Sequence, residues 1–186
     1  MPMSVETIVC GATDGPTLTA AARASCIPTA NRIVLPNNFF YIGRAFRVMM
    51  SGRISCAVTT PGTARIDICL GSAGTTIVYD TAALNLNVVA KTTVPWWFDV
   101  TLVCSAVGAG TTTTFFPTGP GFQSEAVVGA PLPSAGGNGM LFAPVGTPAV
   151  GAGMDNTAAS ALDCFFTQTV ATGSFTVHNY IVQVLN

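Results

Sequence analysis

The sequence predicts an all-β chain folded as a two-sheet β-sandwich, jelly-roll-like, with an extended N-terminal arm. Three observations carry that prediction. Nineteen glycines and 12 prolines punctuate the 186 residues at short intervals, which breaks helices and marks turns. Thr and Val dominate the stretches between them, and β-branched side chains suit a pleated, half-buried surface. Several stretches alternate apolar with polar residues at period two, the pattern of a strand with one face on a core. Short strands with frequent turns bury their apolar faces most simply as two packed sheets, and the jelly roll is one such arrangement.

Residues 1–30 carry few bulky apolar groups and are interrupted by Pro16 and Pro28. They read as an arm lying over the domain or over a neighbouring subunit, with residues 31–186 as the single sandwich domain. Within the arm, Leu18 to Ser25 is the one segment of helical character, Ala-rich and stopped by Pro28. Next, Phe46, Val48, Met50, Gly52 and Ile54 alternate with Arg47, Met49, Ser51, Arg53 and Ser55. Ala64, Ile66, Ile68 and Leu70 alternate with Arg65, Asp67 and Cys69. Thr60-Pro61-Gly62-Thr63 lies between the two runs, with Pro preset for a turn and Gly free to take positive φ, so the pair predicts a β-hairpin.

A short strand over Thr75 to Tyr79 follows the Gly71–Gly74 turn. From Pro95 onward, Trp96, Phe98, Val100, Leu102 and Cys104 share one face, and Trp97, Asp99, Thr101 and Val103 take the other. One tryptophan therefore points inward and its neighbour outward. Gly108-Ala109-Gly110 ends that strand, Thr111 to Phe116 pairs back, Gly119 to Gly121 turns, and Phe122 to Val128 continues extended. Gly129 to Gly153 reads as a long Gly/Pro/Ala loop with a brief strand near Met140 to Phe142. Asp163 to Val170 and Phe175 to Leu185 close the chain around Thr172-Gly173-Ser174.

Composition excludes several functions. Charged residues make up 8%, against about 25% in ordinary domains, and seven basic residues against eight acidic give a net charge of −1. No phosphate-backbone footprint is present, so nucleic acid is not the expected partner. Near-zero net charge favours self-association. The apolar residues are dispersed, with no run of about 18 to span a bilayer, so no membrane is expected either. Met1 to Gly15 has neither a basic start nor an apolar core, which predicts folding in a cytosol.

Catalytic and metal chemistry is not legible. The six cysteines (Cys10, Cys26, Cys56, Cys69, Cys104, Cys164) never form C-x-x-C and read as small buried hydrophobes, not zinc ligands. His178, the single histidine, sits in the last alternating strand with Thr176, Tyr180 and Val182 as expected same-face neighbours, and reads as structural. No G-x-S-x-G places a nucleophile. The carboxylates are scattered and are expected to pair with the few arginines. Asp155 and Asn156 suggest calcium only by being oxygen donors in a loop. Gly136-Gly137-Asn138-Gly139 lacks the strand and helix of a phosphate site. No cofactor is expected, and no catalytic residue is assigned.

Interface residues are the better candidates. Arg44, Arg47 and Arg53 lie on or beside one strand, and Arg47 and Arg53 share its face. They can grip carboxylates of a partner or form local ion pairs on a solvated face. Trp97, Phe115 and Phe116 add aromatic contact area. Trp96 and Trp97 also raise a sugar-stacking platform if one ring is exposed.

The run Leu35-Pro36-Asn37-Asn38-Phe39-Phe40-Tyr41-Ile42-Gly43-Arg44, then Ser51-Gly52-Arg53-Ile54-Ser55 and Thr60-Pro61-Gly62-Thr63, resembles small virion structural proteins of tailed bacteriophages. The similarity continues through Ala90-Lys91-Thr92, Pro95-Trp96-Trp97, Ser124 to Gly129, Pro148 to Gly151 and Val177 to Asn186, covering most of the chain after about residue 20. Among such proteins a neutral β-sandwich of this size is similar to capsid decoration, or cement, proteins. That resemblance implies a non-enzymatic protein, commonly a homotrimer, on the outer capsid surface of a virion, clamping major capsid subunits after synthesis in the bacterial cytoplasm. The alternative is a tail- or fibre-associated protein with a host-glycan-binding role. A particle-borne glycan hydrolase is a third class, requiring a carboxylate cleft. On the cement reading, deleting Met1 to Ala20 is expected to leave the sandwich folded and weaken attachment to shells.

Overall fold

The computed structural model describes residues 4–11, 13–57, 60–127, 153–171 and 173–185. Eleven strands are present among them: β1 (Val5–Gly11), β2 (Arg23–Ser25), β3 (Ile33–Leu35), β4 (Ala45–Cys56), β5 (Thr63–Leu70), β6 (Thr76–Asp80), β7 (Leu84–Asn85), β8 (Lys91–Ala106), β9 (Thr114–Ser124), β10 (Ser160–Gln168) and β11 (Ser174–Leu185). They form two antiparallel sheets packed as a sandwich. The first has the order β1-β11-β4-β8-β9. The second has the order β2-β10-β5-β6, with β3 continuing along β10 after β2, and β7 continuing along β5 after β6.

The period-two runs place one face of every long strand in a common core. Phe46, Val48, Met50 and Ile54 of β4 meet Phe98, Val100 and Leu102 of β8 and Ile66, Ile68 and Leu70 of β5, all buried. An aromatic column ties the sheets together. Phe166 of β10 stacks on Phe175 of β11 at 3.9 Å between ring centroids, Phe175 on Trp96 at 4.5 Å, and Trp96 on Phe122 of β9 at 5.6 Å. The Trp96 indole Nε1 donates to the Thr176 carbonyl at 3.2 Å, which satisfies its one polar atom inside the core.

Four expectations change. The predicted hairpin does not form. β4 is flanked by β11 and β8, and β5 by β10 and β6, so the Pro61-Gly62 connection carries the chain from one sheet to the other. Both strands alternate because each has one face on the same core, and alternation is blind to whether two runs pair or stack.

Residues 18–25 form no helix. Leu18 bridges Phe175, and Arg23–Ser25 pairs with β10. A segment this short cannot sustain a helix on propensity alone, and the open edges of β11 and β10 offer its backbone better partners. The expected arm therefore lies on its own domain, as the outer strand of each sheet, and Cys26 and Ile27 are fully buried.

Gly119 to Gly121 is a bulge inside the continuous strand β9 and not a turn. Asp99 faces Gly121 while Thr101 faces Thr118, so β9 holds one extra residue. Gly119 takes φ +130°, and a Cβ there would lie 2.8 Å from the Asp99 carbonyl oxygen.

Cys10 is exposed, while Cys26, Cys56, Cys69, Cys104 and Cys164 are buried free thiols. The edge position of β1 explains the difference. The strand expected near Met140 to Phe142 and nearly all of the Gly129–Gly153 loop lie outside the described residues. Among the described residues, no helix is long and apolar enough to cross a membrane.

Candidate functional site

The outer face of the five-stranded sheet carries a cleft of about 670 Å³, lined in part by Arg53, Trp97, Gln123, Ser124, Glu125 and His178. Strand register assembles it. Trp97 of β8 stands opposite Ser51 of β4 on one side and Gln123 of β9 on the other. Arg53 stands one outward position along β4, opposite Pro95. Since Trp96 is drawn into the aromatic column at 3% exposure, alternation forces Trp97 outward, where it is 45% exposed.

The floor is narrow because Gly52 pairs with Trp96. A Cβ at Gly52 would lie 1.9 Å from the Thr176 carbonyl oxygen and 3.0 Å from Trp96 Cζ2, so only glycine lets the indole and β11 close over this point.

His178 reaches the cleft through an irregularity. Val177 faces Gly52 and Asn179 faces Ser51, which leaves His178 as the extra residue of a bulge in β11. The expected neighbours Tyr180 and Val182 consequently point into the core, while His178 is exposed with its Nδ1 2.6 Å from Asp14 Oδ1. Glu125 faces Lys91, with Oε2 to Nζ 3.5 Å. Arg53 has only a long hydrogen bond, Nη1 to the Thr93 carbonyl at 3.4 Å, and no carboxylate at ion-pair distance among the described residues.

The other candidates divide. Arg47 shares the outer face with Arg53, but Asp99 holds it by two bonds of 2.8 and 2.5 Å. Hydrogen bonding to that carboxylate keeps the Arg47 guanidinium pKa above its ordinary value. Phe116 is on the same face at 41% exposure and pairs with Val103, roughly 20 Å along β8 from Trp97. Arg44 lies off this face. It stacks over Phe39 at 4.0 Å and donates from Nη1 to the Phe39 carbonyl, holding the loop before β4. Phe115 is corrected outright: it is fully buried and packs edge-on against Phe40 at 4.8 Å, so it cannot reach a partner.

A second polar cluster lies on the outer face of the other sheet. Asp67, fully buried, accepts from Arg23 Nε at 2.7 Å and Arg65 Nε at 2.6 Å, and Arg65 Nη2 also reaches Asp80 at 2.8 Å. Arg23 Nη2 lies 3.0 Å from Cys69 Sγ. Burial pushes that thiol up to about 12, against the pull of the guanidinium. Ser25 Oγ donates to Asp163 at 2.6 Å, with Arg32 Nε at 3.4 Å. The expected pairing of scattered carboxylates with the arginines is thus realised at Asp67, Asp80, Asp99 and Asp163. The Arg65/Asp67 part was readable as an i, i+2 pair, whereas Arg23 comes from the supposed arm and Arg32 lies just beyond it.

Calcium at Asp155 and Asn156 finds no support in the donor set. The Asp155 carboxylate accepts from Thr157 N and Oγ1 at 2.8 and 2.6 Å, and the Asn156 side chain is spent on the Phe40 main chain. Among the described residues, no group of three or more His, Cys, Asp or Glu side chains is placed to hold a metal ion.

No family model matches the chain, and neither the curated proteins nor the solved structures yield a match.

Proposed function

We propose that the chain is a virion structural protein of capsid-decoration type, binding the outside of a phage head as a homotrimer and clamping adjacent major capsid subunits. One observation carries this reading: the outer face of the five-stranded sheet is broad and nearly free of uncompensated charge. Arg47 and Asp99 neutralise each other there, and Met49, Val103, Phe116 and Trp97 offer apolar surface beside them. Such a face loses little hydration energy when covered by protein. The strand order adds support. With β9 set aside, β1-β11-β4-β8 faces β2-β10-β5-β6, so the first and last strands interleave in both sheets as a jelly roll requires. A protein that binds only the assembled shell stabilises that state by mass action, and many copies sum their contributions.

A cryo-EM map of the intact particle tests the proposal. Density for this chain over the capsid exterior, bridging neighbouring shell subunits in hundreds of copies, is the expected result. Density confined to the tail or one vertex would overturn it in favour of the second reading, a tail- or fibre-associated protein that binds host glycans. The exposed Trp97 ring at the edge of this cleft is the observation that favours that second reading.

A further inference from the structure

We infer that the Trp97 cleft is a binding site for an acidic glycan, one sugar ring stacking on the Trp97 indole and its carboxylate pairing with Arg53. The inference deepens the glycan-binding second reading and rests on it, because the site requires Trp97 to stay open to solvent on the particle.

The shape of the cleft argues for a sugar. It is open and lies on a sheet face, and its aromatic surface is one half-exposed indole flanked by Gln123, Ser51 and Ser124. A pyranose ring has an apolar C–H face and a rim of hydroxyls. The first suits the indole, and the second suits amide and hydroxyl groups that both donate and accept. The Ser124 hydroxyl is already held by the Pro95 carbonyl and the Ala126 N–H, but an apolar ligand would leave the Gln123 amide and Ser51 hydroxyl without partners.

The rigidity argues for a site prepared in advance. Trp97 stands on a long central strand whose preceding residue is locked in the aromatic column, and Gly52 fixes the floor. Little ordering is left to be done on binding.

The charge argues for an acid. Glu125 is answered by Lys91, and the His178 ring hydrogen-bonds Asp14, which leaves Arg53 as the lining guanidinium without a carboxylate partner among the described residues. A planar guanidinium accepts a carboxylate in two parallel hydrogen bonds.

Isothermal titration calorimetry of the full chain at low ionic strength tests the inference, using trigalacturonate and the uncharged galactotriose as probes. Trigalacturonate is expected to bind about five- to tenfold more tightly than the neutral trisaccharide. Arg53→Gln is expected to abolish that preference, so that trigalacturonate binds no more tightly than the neutral trisaccharide. Trp97→Ala is expected to weaken both sugars about fivefold or more. Both positions are exposed, and equal melting temperatures would show that the variants fold. Failure of wild type to bind either sugar at millimolar concentration would overturn the site. So would equal affinity for the two sugars, or affinity unchanged by Trp97→Ala. If Trp97→Ala instead releases the protein from particles while no sugar binds, the face is a protein contact and the glycan site is wrong.

Discussion

The Asn156 carboxamide closes a ring of two hydrogen bonds with the main chain of Phe40, accepting from its N–H at 3.0 Å and donating to its carbonyl at 2.9 Å. A buried side chain (6% exposed) thus does for Phe40 what a neighbouring strand would do. The Asn156 main chain extends the clamp, accepting from Asn38 N–H at 2.6 Å and donating to the Gly108 carbonyl at 3.0 Å. It pins the loop that carries Phe39 and Phe40 against the segment following β8.

Asn156→Ala leaves both Phe40 groups without partners away from water, and is expected to cost about 2–4 kcal/mol in urea unfolding. Asn156→Asp keeps the acceptor, loses the donor and buries a charge. It should be the worse variant at neutral pH and recover part of the loss in acid.

The thiols should separate into one fast and five slow. Cys10 is exposed on an edge strand, while burial pushes the Cys26, Cys104 and Cys164 thiols up and carries Cys69 to about 12. Because the thiolate is the reacting form, titration of native protein with a disulfide reagent near pH 8 should release about one equivalent promptly. Cys10→Ser should remove that phase, and denaturant should restore the remainder. Prompt labelling of Cys56, Cys69 or Cys104 in native protein would contradict the burial described.

Asp163 should make the protein prefer acid at this one site. Burial raises its carboxyl above the usual range, opposed by Ser25, Arg32 and the Cys164 N–H. The folded state therefore holds this proton more tightly than the unfolded chain. The stability it contributes is complete below the unfolded pKa and is lost as pH rises through the folded one. Asp163→Asn cannot titrate, so its melting temperature minus that of wild type should grow more positive between about pH 3 and pH 6. A difference that stays flat or falls would refute the sign.

Removing Met1 to Ala20 should damage the fold itself, contrary to what an arm would allow. The deletion strips β1 from β11, the Gly15–Val177 and Leu18–Phe175 main-chain bonds, and the Ala20 carbonyl that accepts from Gln168 Nε2. The bared edge of β11 is a template for pairing with other chains. Light scattering after size exclusion should show higher oligomers, and the melting temperature should fall. A monodisperse product with unchanged melting would reinstate a dispensable arm.

The legible part of the fold is the part that depends on alternation. Phe46 to Ile54, Ala64 to Leu70 and Trp96 to Cys104 each show which face is inward, and the opposite fates of Trp96 and Trp97 follow from that alone. Partners are a different matter. β4 and β5 alternate equally well whether they pair or lie in separate sheets. Bulges are silent too: one extra residue at His178 reverses the faces of Tyr180 and Val182 without altering composition. The candidate site was half visible. Arg53 and Trp97 could be nominated from strand position, but Gln123, Glu125 and His178 join them only through register between strands distant in sequence. The polar, Ala-rich N-terminal stretch looked detachable because outer strands need few bulky residues.

The placement of β1 beside β11 and β2 beside β10 bears on how the protein is made. β1 and β2 pair with β11 and β10, so neither sheet is complete until β10 and β11 have been made. β11 then enters between β1 and β4, an interior lane filled late. Pairings this far apart in the chain close slowly, and until they close the nascent polypeptide displays unpaired strand edges and reduced thiols. The interval before β11 is seated is therefore the one in which the chain is most open to mispairing.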